Sequence, residues 1–343
     1  MLRGEMKFKH VVVTRFSYRA KGVLKRVNGP DFPGSGNPLK TKHLEHRFRL
    51  FEMICLPSIQ SQTNQDFSWI LLIDAELREA YRKRLERLAK FRDDIHLHIY
   101  NPSERLERLS WLKPYIKNDP THILSTNLDD DDALPKNYIQ LMHDDLRTNN
   151  EQGALPPLKI FGATRIEQWD LHFLPTAPLG YKCPWHRTTK VSSCGFSLLS
   201  PLDKSGVCVL GLRHIYTDKY FDFSADSTDP NVKFFREGLA AFDWEPEEES
   251  SLNADKLFYD VSEDSGPVLM SNHCINNETE RLYELKETYQ PVSGEASWPG
   301  IELNWDCAKK YSKYFKKNNS RIMFGKIKGM VKLLCVHSSG SPV

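Results

Sequence analysis

No stretch of 18 consecutive apolar residues occurs in this chain, so no segment reads as a membrane-crossing helix. Neither GxGxxG nor GxxxxGK[ST] is present, which removes the commonest glycine-rich phosphate cradles. Cysteine is sparse: seven residues, an odd number, with no CxxC pair. That pattern argues against a disulfide frame or a zinc ribbon and for reduced thiols in a cytosolic protein. In that compartment the sequons at Asn277 and Asn318 would carry no glycan. The opening MLRGEMKFKHVVV lacks the apolar core of a signal peptide, and Met6 is a second candidate start. No internal repeat appears. From Cys307 onward acidic residues are missing altogether, against nine Lys and Arg. The rest of the chain holds 38 basic and 45 acidic residues, so the net charge of +2 conceals an acidic body with a basic tail.

What is present is enough for a globular core: 343 residues, 40% hydrophobic and 27% charged. The most informative stretch is Thr121–Leu134, THILSTNLDDDDAL. His122-Ile123-Leu124 reads as a buried strand, four aspartates follow, and Pro135 suits the first turn of a helix. The carboxylates are therefore expected at the C-terminal end of a central strand, the edge where open α/β sheets bind ligands. Two like charges about 4 Å apart cost roughly 1 kcal/mol in water and about 4 kcal/mol at an effective dielectric of 20. A half-sheltered run of four invites a cation. On an extended segment Asp129 and Asp131 point the same way and would converge on one hard ion, Mn2+ or Mg2+. The bland alternative is a solvated acidic turn capping the helix behind it.

Along the chain, HVVVT at residues 10–14 reads as a buried first strand, with Arg15 directed into the crevice above the sheet. Residues 28–38 are a loop rich in Gly, Pro and Asn. Leu44, Phe48, Phe51 and Cys55 mark an amphipathic helix ending near Pro57, with Arg47 and Arg49 on its solvated flanks. A strand from Trp69 to Ile73 ends on Asp74, which either holds a nucleotide or caps the helix carrying Leu77, Tyr81, Leu85 and Leu88. Ile95–Tyr100 is a third strand whose His96 and His98 are expected to face outward. This rhythm predicts a parallel sheet with right-handed crossovers. Residues 1–150 accordingly read as a nucleotide-binding α/β half, 151–305 as an acceptor-side half, and 306–343 as a basic tail.

The second half is less regular. Strands are expected at 158–163, at 194–199 entered through Gly195, and at 268–272, which leads to His273. Residues 173–190, with three prolines and several aromatics, read as a binding loop. In the tail, Met323, Ile327, Met330, Val331 and Leu334 recur at helical spacing among lysines, the pattern either of a surface anchor on anionic lipid or of a docking helix. The basic charge is confined to that tail and accompanies no nucleic-acid motif, so nucleic acid is not an expected partner.

Pro57-Ser58-Ile59-Gln60-Ser61-Gln62-Thr63, then Phe67 and a strand ending on Asp74, resembles the S-I-x-x-Q-T…D signature of family 2-like glycosyltransferases with the GT-A fold. Asp129-Asp130-Asp131-Asp132 is similar to their metal-binding DxD. Arg49-Leu50-Phe51-Glu52, Cys55-Leu56-Pro57-Ser58, Gln62-Thr63, Asp66-Phe67-Ser68-Trp69 and Leu128–Leu134 resemble, more closely, a rhamnosyltransferase family of bacterial surface-polysaccharide enzymes. Where that family usually has an arginine before the L-D, this chain has Asn127.

The resemblance implies an α/β fold of GT-A type, a Rossmann-like mostly parallel sheet with an irregular acceptor-side half. It implies transfer of a sugar from a nucleotide donor to a hydroxyl of a glycan or lipid-linked acceptor. Asp129, Asp131, Asp132 and His273 would hold the metal, and Arg15, Asp74, Asp129 and Asp130 the nucleotide. An inverting reaction needs a base, for which Asp243, Glu245 and His214 are the candidates. Such an enzyme would work in the cytoplasm, at the inner face of the membrane. Two other classes use the same aspartates differently: a metal-dependent phosphohydrolase, and a non-catalytic glycan or membrane adaptor.

Overall fold

The computed structural model describes residues 7–17, 37–101, 106–152, 158–171, 179–186, 191–203, 206–212, 257–272 and 290–312. Its frame is a seven-stranded sheet. The first strand, β1 (Phe8–Phe16), takes up the β-branched run, and Val11, Val12 and Val13 are all fully buried. β2 (Ser68–Asp74) and β3 (Ile95–Tyr100) follow on one side of it, and β4 (His122–Asn127) lies on the other. All three pairings are parallel. The order of winding therefore reverses between β1 and β4, which makes their carboxyl ends the switch point where an α/β sheet opens a crevice.

Later strands complete the same sheet. β6 (Lys159–Gly162), β9 (Ser197–Pro201) and β10 (Phe258–Asp260) extend it in the order β10-β6-β9-β4-β1-β2-β3. β9 alone runs against its neighbours β4 and β6. A second sheet of five short strands has the order β12-β8-β7-β11-β5. It comprises β5 (Asp132–Ala133), β7 (Arg165–Asp170), β8 (Tyr181–His186), β11 (Val268–Asn272) and β12 (Gln290–Pro291). The fold class is thus the expected one, an α/β GT-A-type layout with a mostly parallel Rossmann-like sheet and a less regular second half. The halves read from the sequence share one sheet, because β9 pairs onto β4 and β6 onto β9.

Helices cover one face of the large sheet: α1 (Thr41–Leu50), a π-helical turn (Phe51–Cys55), α2 (Leu56–Gln60), α3 (Glu79–Ala89) and α4 (Tyr138–Glu151). Phe48, Phe51, Trp69, Leu85, Tyr138 and Met142 form the core there. On the opposite face Ile70, Leu72, Trp111, Ile123, Ile160 and Leu198 form another. A third cluster, around Trp169, Trp298 and Trp305, fastens residues 298–308 to the second sheet.

Several local expectations change. The helix after the aspartates starts at Tyr138 and not at Pro135, because Asp132–Ala133 first pair with Leu269 and Met270 of β11. The proline-rich stretch taken for a loop contains β8, paired antiparallel to β7. His98 is buried and hydrogen-bonds Tyr115 Oη at 2.8 Å, so it does not face outward. Within the expected basic tail only residues 306–312 are described, and 305–312 are helical. The anchor residues Met323–Leu334 lie outside the described residues, among which no helix is long and apolar enough to cross a membrane.

Candidate functional site

The chain leaves β4 through Leu128, whose N–H donates to the Val13 carbonyl of β1 at 3.0 Å. It then bends, the Asp132 N–H donating to the Asp129 carbonyl at 3.2 Å. This turn replaces the extended geometry expected for residues 129–131. Asp129 and Asp131 pair with different arginines. Asp129 accepts from Arg15 of β1, at 2.7 Å from Nη2 and 3.2 Å from Nε. Asp130 and Asp131 both face Arg47 of α1: Nε donates to Asp130 Oδ2 at 3.0 Å, while Nη1 and Nη2 reach the two oxygens of Asp131 at 3.1 Å each. Nη2 also makes a close ion pair with Asp130 Oδ1. Arg47 is thus no solvated flank residue, its side chain being 16% exposed.

Burial settles the bland alternative. Asp130, Asp131 and Asp132 are 0%, 6% and 4% exposed, which is not a solvated acidic turn. Burial holds the Asp132 carboxyl well above the usual carboxylate range, and the charges of Asp131 and Asp129 push it the same way. Beneath the turn lie Cys55 and Cys194, fully buried thiols that burial and then Asp132 hold well above their ordinary range. They are inert packing groups.

The Q-T of the signature acquires a physical role here. Gln62 donates from Nε2 to the Pro135 carbonyl at 2.9 Å and to the Ser58 carbonyl at 3.0 Å, and its Oε1 accepts from the Ile139 N–H at 3.3 Å. The Thr63 N–H donates to the Lys136 carbonyl at 2.8 Å. Together they latch the segment that leaves the aspartates onto the end of α2. On the other side Gly195 donates its N–H to the Asn127 carbonyl at 3.0 Å, and Phe196 accepts from the Asn127 N–H at 2.8 Å. Asn127, which stands where an arginine is usual, is 7% exposed and donates to the Ser193 carbonyl; its buried Oδ1 has no hydrogen-bond partner among the described residues.

Asp74 is buried at the end of β2 and accepts from the Glu76 N–H at 2.9 Å, so it caps the turn into α3. His273 follows β11 in sequence, but it lies outside the described residues, as do Asp243, Glu245 and His214. Sequence reasoning missed Arg47. The available signal was its place on the helix, three residues after Leu44 and one before Phe48, among the positions that face the sheet.

The donor chemistry suits a hard divalent ion: four adjacent carboxyl groups, three of them buried. Among the described residues no group of three or more His, Cys, Asp or Glu is placed to hold a metal, and guanidinium groups engage three of the four aspartates.

A comparison with the curated proteins finds no match. Among solved structures the chain is similar to HddC from Yersinia pseudotuberculosis, at 15% identity and a TM-score of 0.26 over 57% of this chain and 77% of that one. It is also similar to 4-diphosphocytidyl-2C-methyl-D-erythritol synthase from Anaerococcus prevotii, at 10% identity and a TM-score of 0.31 over 82% and 94%. Mouse xyloside xylosyltransferase 1 is similar at 12% identity and a TM-score of 0.30 over 74% and 84%. Residues 9–154, the segment that carries Arg15, Arg47, Asp74 and all four aspartates, match the family described as "Putative rhamnosyl transferase".

Proposed function

We propose that this protein is a glycosyltransferase that moves a sugar, rhamnose by the family's description, from a nucleoside-diphosphate donor to a hydroxyl of a glycan or lipid-linked acceptor. The observation that carries the reading is the buried acidic turn at the switch point between β1 and β4, flanked by Arg15 and Arg47. The family match over residues 9–154 supports the same class.

In this reading Arg15, Asp74, Asp129 and Asp130 form the nucleotide side of the cleft, and Asp129, Asp131 and Asp132, with His273, are the residues that would hold Mn2+ or Mg2+. When bound, a divalent ion supplies Lewis-acid neutralisation of the departing diphosphate. The chain's own contribution is positional. The Gln62 and Gly195 contacts hold the backbone of the turn from both sides. The acceptor's proton would pass to Asp243, Glu245 or His214. The basic tail would hold the enzyme at an anionic cytoplasmic membrane surface.

The test is a thermal-shift panel of nucleoside diphosphates with and without Mn2+, repeated on Asp131→Ala. One base should raise the melting temperature selectively, and only with the ion; the variant should lose that response and at least about a hundredfold in transfer rate. Phosphate release from simple esters without any nucleotide would identify a phosphohydrolase instead. Indifference of the biological role to Asp129 and Asp131 substitutions would identify an adaptor.

A further inference from the structure

Arg47 spends its guanidinium in an unusual way: Nε donates to Asp130 Oδ2, Nη1 and Nη2 donate to the two oxygens of Asp131, and the group is ion-paired to both carboxylates. The two carboxylates are buried and the arginine is nearly so. An ion approaching Asp131 would meet a positive charge already seated on its ligand. The same fork geometry that fits a carboxylate fits a phosphate.

We propose that Arg47 is an internal competitor for the cation: it clamps Asp130 and Asp131 shut, and a divalent ion gains these carboxylates only as the guanidinium is drawn off, the natural acceptor being the diphosphate of the donor. This inference rests on the metal-dependent reading of the acidic turn. It makes ion and diphosphate binding mutually dependent, because each removes the obstacle to the other, and such coupling is reciprocal. Arg47 is then a positioning residue that holds the site closed until both ligands arrive, which keeps a bare ion from occupying the cleft.

The experiment compares full-length wild type, Arg47→Gln, Arg47→Lys and Asp131→Asn after treatment with chelator. Mn2+ alone is titrated in, and free ion is read by electron paramagnetic resonance. Melting temperature is followed in parallel. Arg47→Gln should bind Mn2+ alone about tenfold more tightly than wild type, within the usual range of coupling between sites. Mn2+ should also raise its melting temperature more than that of wild type, because the ion replaces the missing counter-charge. Arg47→Lys, which keeps the charge and loses the fork, should fall between them and carries the test if the glutamine variant does not fold without metal. Asp131→Asn should abolish the binding. If wild type binds Mn2+ as tightly as Arg47→Gln at a site lost in Asp131→Asn, the clamp is refuted and the metal reading stands. If no variant binds Mn2+, with or without UDP, GDP or dTDP, both are refuted.

Discussion

A buried chain of hydrogen bonds runs from the surface to the loop beneath the acidic turn, and its direction is fixed by its ends. Asn64 Nδ2 donates to His143 Nδ1 at 3.1 Å, so neutral His143 carries its proton on Nε2 and donates it to His10 Nδ1 at 3.0 Å. His10 Nε2 then donates to Thr126 Oγ1 at 2.8 Å, Thr126 to Ser197 Oγ at 2.6 Å, and Ser197 to the Gly195 carbonyl at 2.7 Å. Protonating either imidazole breaks this order. Burial depresses His143 to about 4, partly opposed by Asp66 and Asp144, and burial with the neighbouring His143 and Lys9 drives His10 well below its ordinary value. In the unfolded chain both titrate near 6.5, so the unfolded state binds more protons below that pH. The contribution is complete above pH 6.5 and is lost as the pH falls toward 4, on the order of 3 kcal/mol from His143 alone. Urea unfolding at pH 7 and pH 4.5 should show that loss in wild type, and in His143→Asn a loss smaller by about 3 kcal/mol, the His143 share. Equal losses would mean the histidines are not its source.

Among the elements around the site, Gly195 has little freedom to change. Its φ is +73°, and a Cβ there would lie 2.8 Å from the Tyr138 ring and 2.9 Å from Leu134. Gly195→Ala should cost about 2–4 kcal/mol, backbone strain and overpacking combined, read as a lower urea midpoint at unchanged slope. The strands were the legible part of this fold. HVVVT, WILLI and HIL are continuous apolar or β-branched runs that only a strand buried on both faces explains. β8 was not legible, since Lys182 and Pro184 mask its pattern, and its pairing with β7 decides the matter. The two-residue strands β5 and β12 exist only through their partners. At the site, the aspartates and Arg15 could be found from their places after strands. Arg47 could not be found from charge alone, because an arginine on a helix is usually solvated. Only its coincidence with the sheet-facing stripe distinguishes it.

At the scale of the molecule, β9 is inserted between β4 and β6, so residues after 150 complete the sheet that the first strands begin. A fragment of residues 1–154 would leave the buried edge of β4 without its partner, and Ser125, whose Oγ bonds the Leu198 carbonyl and the Val209 N–H, without either. We expect that fragment to aggregate or to unfold without a cooperative transition, while the full chain melts with coincident near- and far-ultraviolet circular dichroism. A cooperatively folding fragment would show that the matched segment stands alone.

The backbone passes from the large sheet to the small one three times: after β4, after β6 and after β10. The second and third passages are buckled to each other, Asp260 holding Thr164 and Ser262 holding the Arg165 N–H. The first is held by the Gln62 and Gly195 contacts and, through ion pairs, by Arg47. Of the three passages, the one that carries the carboxylates is thus the one braced by full charges, so its firmness answers to any change of charge at residue 47 or at residues 130–131.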